Sequence, residues 1–271
     1  MGRDYNKEII DNNNRQYAYN FDFDVMHPYM IKAFTPFKVE GKALELGCYK
    51  GAFTKRLQEI FNDITCVEAS TEALNEAVNY VTDEKIQFIN ARFEDVQLEK
   101  QYDNIFLTHV LEHIDERVGL LNKINIEWLT KKGVLFVVCP NAHAASRQIA
   151  VKMGIMNSCE AVTEGELKHG HRLTYTLDTL RQDILKSGLE IVHESGIFFK
   201  PFANFQWDKL LNTDIVTKEY LDGCYELGKE YPDLCSSIYF ICKKASDTKE
   251  KKHAQEDQCS KAVNATNGRV F

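Results

Sequence analysis

Short apolar runs alternate with longer amphipathic segments along the chain from Lys42 onward. The apolar runs predict buried strands, and the segments between them, in which apolar residues recur every three or four positions, predict helices. The predicted strands are Ala43–Leu46, Ile64–Glu68, Ile86–Ile89, Asn104–Thr108, Gly133–Cys139, Leu189–Phe199 and Ser236–Lys243, and the predicted helices are Lys50–Phe61, Thr71–Val81, Asp115–Leu129, Ala142–Met153 and Leu177–Ser187. This alternation predicts right-handed βαβ units and an α/β fold with a mostly parallel, seven-stranded sheet.

The segments outside this alternation predict a cover, two insertions and a tail. Residues 1–38 are rich in Asn, Asp and aromatic residues, and they predict an N-terminal helical cover. Within the main domain, 39–245, insertions at about 142–176 and 200–235 predict lids over a substrate site. The last two strands, which flank the second insertion, predict a hairpin-like border with an antiparallel edge strand. Residues 246–271 have few apolar partners and predict a disordered tail.

Composition narrows the class of protein. A chain of 271 residues suits one α/β domain with lids. The net charge of −7 gives little attraction for a polyanion, so we expect no nucleic-acid partner. The apolar runs are too short to span a bilayer and the first residues do not resemble a signal peptide, so we expect no membrane partner and a cytoplasmic protein. Eight cysteines without a C-x-x-C pair favour a reducing compartment. The many Asn, Lys, Ile and Tyr residues favour a low-GC bacterial source.

A glycine-containing turn follows the first predicted strand. Glu45 lies near the end of that strand, Gly47 follows two positions later, and Gly51 precedes an amphipathic helix. Glycine lets a backbone turn sharply and approach a ligand closely. A pyrophosphate would favour backbone N–H groups without a nearby carboxylate, whereas Glu45 suits the ammonium group of a methionine moiety. Tyr49 also stands where the middle glycine of a G-x-G-x-x-G motif would be, which disfavours a dinucleotide.

A second carboxylate, Glu68, lies at the end of the second predicted strand, where it can accept hydrogen bonds from a ribose. The turn and this acid resemble the first motif and the ribose-binding acid of class I S-adenosylmethionine-dependent methyltransferases, in their small-molecule branch. The resemblance extends over roughly residues 42–243, including the runs Tyr102–Phe106, Leu111–His113 and Gly133–Asn141. It implies a Rossmann-like fold, S-adenosylmethionine as cofactor and a methyltransferase of the EC 2.1.1 type.

The resemblance also implies which residues contact the cofactor. The adenine is expected against the turn after the third strand, where Phe93 offers an apolar face and Arg92 and Glu94 flank it. An aromatic residue of the cover, Tyr19, is expected to close over the methionine end. The full expected set is Tyr19, Glu45, Gly47, Cys48, Tyr49, Gly51, Glu68, Ala69, Ser70, Arg92, Phe93, Glu94, Thr108 and His109.

Three histidines are candidate catalytic residues. His109 and His113 lie at the end of the fourth predicted strand, beside the expected position of the transferred methyl group, and His171 belongs to the insertion after the fifth strand. A hydroxyl acceptor needs a base to take its proton, and imidazole suits that task at neutral pH. The alternative is that His113 only braces the helix that begins there. Both interpretations remain open at this stage.

A divalent metal is a further alternative that we do not favour. The H-x-x-E-H run would supply His109, Glu112 and His113 as ligands. A more distant ligand would be His143, His169 or His171, and spacing does not choose among them.

The function predicted from these observations is methyl transfer from S-adenosylmethionine to a small-molecule acceptor. The expected atom is an oxygen of a sugar, a surface-glycan precursor or a specialised metabolite, with nitrogen as second choice. The alternatives are a metal-assisted O-methyltransferase, an NAD(P)-dependent Rossmann oxidoreductase, a metal-dependent RNA 2'-O-methyltransferase, and a cofactor-binding protein without turnover. A homodimer is left open.

Overall fold

Seven strands form one sheet at the centre of the protein, a computed structural model that describes residues 3–11, 15–83 and 85–245. The strands are β1 (Ala43–Leu46), β2 (Ile64–Glu68), β3 (Ile86–Asn90), β4 (Tyr102–Thr108), β5 (Leu129–Pro140), β6 (Leu189–Phe199) and β7 (Cys235–Lys244). Their order is β3-β2-β1-β4-β5-β7-β6. The predicted tail over 246–271 lies outside the described residues.

Neighbouring strands from β3 to β5 are parallel, and β7 pairs antiparallel with both β5 and β6. The prediction of a mostly parallel, seven-stranded α/β sheet is therefore confirmed. One detail differs, because the antiparallel strand is not the edge strand itself. The chain returns from β6 through a long helical insertion and enters the sheet between β5 and β6, which leaves β6 at the border.

Helices cover both faces of the sheet. The helices are α1 (Tyr5–Glu8), α2 (His27–Phe34), α3 (Ala52–Leu57), α4 (Thr71–Val81), α5 (Arg117–Lys123), α6 (Ala145–Lys152), α7 (Glu164–Lys168), α8 (Leu177–Lys186), α9 (Asn204–Leu211) and α10 (Lys218–Glu230). Local capping explains several starts: the hydroxyls of Ser70, Thr176 and Thr217 accept backbone N–H groups in the first turns of α4, α8 and α10. A π-helical turn at Asp22–Met26 leads into α2, and another at Ile124–Trp128 follows α5. Within the described ranges, no helix combines the length and apolarity needed to cross a bilayer.

The N-terminal cover packs on one face of the sheet through Phe34. This side chain is almost fully buried, and its ring centroid lies 5.1 Å from that of Phe136 and 6.2 Å from that of Phe106. The amide of Asn104 on β4 fixes the link after α2, since it accepts from the Val39 N–H at 3.0 Å and donates to the Val39 carbonyl at 2.8 Å. The cover is thus part of the hydrophobic core.

We expect Phe34→Ala to lower the free energy of unfolding by about 3–5 kcal/mol, because it removes a buried ring between two sheet rings and leaves a cavity. Chemical denaturation followed by circular dichroism measures this change. Ile126→Ala is the control, since Ile126 is 63% exposed and its truncation should change stability by less than about 0.5 kcal/mol. A loss below about 1 kcal/mol for Phe34→Ala would show that the cover does not depend on this contact.

Candidate active site

A large cavity opens where the carboxyl ends of β1, β2 and β4 meet the N-terminal segment. Its volume is about 1570 Å³. Ligands of open α/β sheets bind at this end of the strands. Of the fourteen residues expected to contact the cofactor, eleven line the cavity: Tyr19, Glu45, Gly47, Cys48, Tyr49, Glu68, Ala69, Ser70, Phe93, Thr108 and His109. Gly51, Arg92 and Glu94 do not.

The turn after β1 has the backbone conformation that the glycines suggested. Gly47 has φ 77°, and a Cβ there would lie 2.5 Å from a Val110 methyl group. Gly51 has φ 82°, and a Cβ there would lie 2.8 Å from Val81, so it permits α3 to approach α4. The structure thus places Gly51 in helix–helix packing and not in the cavity lining where cofactor contact was expected.

Tyr49, the departure from the glycine pattern, also lies in the left-handed region with φ 48°. Its backbone N–H donates to the Glu68 carboxylate at 2.9 Å, and its ring centroid lies 4.9 Å from that of Tyr17 in the cover. Backbone strain at a non-glycine residue costs of order 1 kcal/mol, and these two contacts offset it. The side chain that replaces a glycine thus contacts the N-terminal segment.

Glu68 joins two turns. Its carboxylate accepts the Tyr49 N–H and, at 2.8 Å, the Ser70 N–H. The carboxylate lines the cavity, and burial raises its pKa. Each carboxylate oxygen can accept more than one hydrogen bond. The remaining lone pairs suit two neighbouring hydroxyls, as the ribose of S-adenosylmethionine would supply.

Glu45 is a buried carboxylate with one satisfied oxygen. Its Oε2 accepts from the Thr54 hydroxyl at 2.6 Å and lies 3.5 Å from the Cys66 thiol, whereas its Oε1 has no hydrogen-bond partner. Burial raises its pKa to about 7, with the two donors acting in the opposite direction. A buried carboxylate without a cation is unfavourable. The ammonium group of the cofactor would supply that cation, directly or through water.

The turn after β3 contributes only one side chain to the cavity. Phe93 lines it and is buried, while Arg92 and Glu94 are exposed and form an ion pair of 3.5 Å with each other. The structure thus places Arg92 and Glu94 on the solvent-exposed side of this turn, outside the cavity lining where cofactor contact was expected. Val110 and Ile114, which sequence reasoning missed, line the cavity as well.

The catalytic candidates separate into a single histidine and a cluster. His109 has φ 54°, and its Nε2 lies 2.9 Å from the Ser237 hydroxyl on β7. His113 and His171 lie together, with ring centroids 4.5 Å apart. The ligand atoms of Glu112, His113 and His171 all lie within 4.8 Å of one another. Of the candidate metal ligands, Glu112, His113 and the distal candidate His171 thus lie together, whereas His109 lies outside this group and contacts β7.

Desolvation controls the charges of this cluster. Burial lowers the pKa of His109 and of His171 to about 4, and it lowers the pKa of His113 well below its usual value. Each of these imidazoles is therefore neutral near pH 7 and has an unprotonated ring nitrogen. Glu112 is 1% exposed, both its carboxylate oxygens lack a hydrogen-bond partner, and burial raises its pKa to about 8. Arg172, adjacent to His171, instead pairs with Asp115 at 3.0 Å.

Residues 3–8 lie along the cavity, which Arg3, Tyr5 and Glu8 help to line. The side chain of Arg3 donates to the carbonyls of His113 and Gly170, the latter at 3.1 Å, and pairs with Glu8 at 2.7 Å. The Asn6 amide oxygen accepts from the Ser70 hydroxyl at 2.7 Å. This segment therefore connects the Glu68 side of the cavity with the histidine cluster. No local sequence signal marks the contacts of Arg3 with the two carbonyls or of Asn6 with Ser70, since these partners are 64 to 167 positions away.

Comparison with known proteins agrees with this geometry. The profile of a family described as "Methyltransferase domain" matches residues 19–194. The chain belongs to this family, the class I S-adenosylmethionine-dependent methyltransferases. The family and cofactor predictions are confirmed, and the match decides against the nicotinamide alternative.

The most similar relatives and structures include nodulation proteins. Nodulation protein S of Azorhizobium caulinodans is 32% identical over 125 residues, which are 46% of this chain, and the chain spans 58% of that relative's length. The N-methyltransferase NodS of Bradyrhizobium japonicum, solved with S-adenosyl-L-homocysteine, has a TM-score of 0.54 at 12% identity, covering 89% of this chain and 95% of its own. A methyltransferase of Thermotoga maritima described as a possible histamine N-methyltransferase has a TM-score of 0.57 at 15% identity. The match covers 83% of this chain and 93% of the Thermotoga chain. These likenesses to solved structures concern the fold.

We expect the affinity for S-adenosylhomocysteine to rise by up to about tenfold between pH 6 and pH 8. Glu45 has a pKa near 7 in the free protein, and a bound ammonium group would lower it, so that binding releases a proton and strengthens as pH rises through 7. Calorimetric titration in buffers of different ionisation enthalpy measures both the affinity and the number of protons released on binding. In Glu45→Gln the rise should disappear, and a rise that persists unchanged in this variant would contradict the assignment.

We expect Asn6→Ala to weaken S-adenosylhomocysteine binding severalfold, because it removes the acceptor of the Ser70 hydroxyl and loosens the segment over the cavity. The dissociation rate, measured by surface plasmon resonance, should rise by the same factor. Lys7→Ala is the matched control, because its side chain is exposed and pairs only with Asp4 at 3.4 Å. Equal dissociation rates for Asn6→Ala and the unaltered protein would contradict a role in retaining the cofactor.

Proposed function

We propose that this protein is an enzyme that transfers a methyl group from S-adenosylmethionine to a hydroxyl group of a small-molecule acceptor, such as a sugar, a surface-glycan precursor or a specialised metabolite. The observation that carries the proposal is the cluster of Glu112, His113 and His171 in the same cavity as the cofactor carboxylates Glu45 and Glu68. A hydroxyl oxygen is a weak nucleophile unless its proton is removed, and neutral imidazoles are suitable proton acceptors.

Different residues of the cavity would bind the cofactor, accept the proton and exclude water. Glu68 would hold the ribose hydroxyls and Glu45 the ammonium group, which orients the cofactor. When bound, S-adenosylmethionine supplies an electrophilic methyl group on a sulfonium. The acceptor oxygen would form a bond to that carbon as the carbon–sulfur bond breaks, and the electron pair would stay on sulfur. The hydroxyl proton would pass to His113 or His171. Arg3 and Asn6 would exclude water by holding the N-terminal segment over the cavity.

Nitrogen is the competing acceptor atom, because two structural relatives are described as N-methyltransferases. An amine in its free-base form already has a lone pair and needs no proton acceptor before attack. The histidine pair has a clear role only for a hydroxyl. We therefore favour oxygen.

A metal-assisted reaction is the second candidate, and one observation favours it. Glu112 is buried with two unpartnered oxygens beside two neutral imidazoles. Carboxylate and imidazole are ligands for divalent ions such as Zn²⁺ or Mn²⁺. Such an ion would lower the pKa of the acceptor hydroxyl and would replace the need for an imidazole base.

We expect His113→Asn and His171→Asn to lower O-methylation by roughly 10²–10⁴-fold, the usual contribution of a general base. The measurement compares methyl glucoside acceptors with their amino-sugar counterparts, following S-adenosylhomocysteine release and identifying the product by NMR. His193→Asn is the control. That histidine lies on the border strand β6, does not line the cavity, and has its Nε2 3.0 Å from the Tyr239 hydroxyl.

Three outcomes separate the candidates. Methylation of amines alone, unchanged in the histidine variants, would overturn the hydroxyl proposal. Loss of O-methylation on chelation and its return with added Mn²⁺ would establish the metal-assisted reaction, and thermal stabilisation of the unliganded protein by Mn²⁺ should then disappear in Glu112→Gln. Retention of activity with chelator, together with the loss in the histidine variants, would establish the imidazole base.

A further inference from the structure

Helix α6 lacks the buried apolar stripe that a surface helix of a domain usually has. It follows β5 and none of its eight residues is buried. Ile149 and Met153 lie four positions apart and thus on one face, and they are 44% and 67% exposed. Both side chains line the cavity. The apolar face of α6 is therefore turned to the cavity.

The start of α9 presents apolar side chains to the same space. Phe202 and Phe205 line the cavity and are 41% and 52% exposed. Ile155 and Met156, in the turn after α6, also line it, and Ile155 is 70% exposed. We call this set the apolar end of the cavity: Ile149, Met153, Ile155, Met156, Phe202 and Phe205. Exposed apolar patches of this kind mark binding sites, and methionine side chains adapt to varied partners.

The volume and continuity of the cavity identify the occupant. Sites for one small ligand usually measure about 300–1000 Å³, and this cavity measures about 1570 Å³. It therefore has room for a second molecule beside the cofactor. Because Glu68, the histidine cluster and the apolar end line one continuous cavity, a molecule at the apolar end can also reach the histidines. That molecule is the methyl acceptor.

Two of the cations that line the cavity, Lys200 and Arg147, have partners within the protein. Lys200 is 7% exposed, and its Nζ donates to the Asn204 amide oxygen, while the Asn204 amide nitrogen donates to Asp22 at 2.9 and 3.0 Å. Arg147 pairs with Glu166 at 2.6 Å. Both cations thus already have partners within the protein. An anionic group on the occupant would have to compete with Glu166 for Arg147 and with the Asn204 amide for Lys200.

We propose that the acceptor combines a hydroxylated head with an extended, uncharged apolar chain, and that the chain lies between α6 and the start of α9 while the head reaches His113 and His171. This inference rests on the proposed function, because it treats the cavity as the place of methyl transfer. It adds the chemical class of the acceptor, which the family does not specify.

The test measures binding of n-alkyl β-D-glucosides with one, six, seven and eight carbons to protein saturated with S-adenosylhomocysteine, below their micelle concentrations. Each methylene buried at the apolar end should raise the affinity by up to about fourfold, since burial of a CH₂ contributes about 0.8 kcal/mol and tenfold corresponds to 1.36 kcal/mol. Isothermal titration calorimetry reports the affinity for each chain length, and the octyl compound should be the tightest ligand.

The double variant Ile149→Gln, Met153→Gln should flatten this dependence on chain length and leave the affinity for S-adenosylhomocysteine unchanged. Both side chains are exposed, so the variant should fold. Ile126→Gln is the matched control, because Ile126 is 63% exposed but does not line the cavity. The control should keep the full dependence on chain length.

Affinity that does not change with chain length, or a dependence that persists in the double variant, would overturn the inference. Two other results would also overturn it if affinity does not depend on chain length. A change of sedimenting mass in the double variant would mean that a second copy of the chain binds this surface. Co-sedimentation with phosphatidylcholine vesicles would mean that a membrane binds it. Failure to bind S-adenosylhomocysteine would instead refute the proposed function itself.

Discussion

The carboxylate of Glu68 is the contact on which the cofactor site depends. It accepts one backbone N–H from the turn after β1, at Tyr49, and one from the turn after β2, at Ser70. Parallel pairing of β1 with β2 brings the two turns to the same edge of the sheet, and the carboxylate then fixes their separation. Because the same side chain also lines the cavity, the group that holds the loops in place is the group presented to the ligand.

Burial rather than ion pairing sets the chemistry of the cavity. It raises the pKa of Glu45 to about 7 and of Glu112 to about 8, and it lowers the pKa of His109 and His171 to about 4. A positive partner would thus stabilise the charged form of both acids, and the imidazoles are neutral near pH 7. Unpartnered oxygens on both acids are unfavourable in the free protein. Such groups are typical of sites whose interactions are completed by ligands.

The two ends of the cavity differ in how they are built. The cofactor end is formed by strand ends and short turns, and the N-terminal segment closes it through Arg3 and Asn6. The other end is formed by α6 and α9, whose apolar side chains remain exposed. In related folds the sheet end is the constant part, and insertions carry specificity. Here the insertions supply both the second histidine of the cluster and the apolar walls.

Local patterns in the sequence predicted the strands, most helices and the two carboxylates, Glu45 and Glu68, expected at the cofactor site. Hydrophobic periodicity and glycine-containing turns depend on residues that are close together in the sequence. Glu45 and Glu68 were identifiable because each lies near the end of a strand beside a turn, and strand ends of a parallel sheet converge. The tertiary structure alone decided that His171 joins Glu112 and His113, that Arg92 and Glu94 face solvent, and that Arg3 contacts the His113 carbonyl 110 positions away. It also decided that α6 turns its apolar face to the cavity. These contacts depend on how separate elements pack, and spacing along the chain contains no information about such distances.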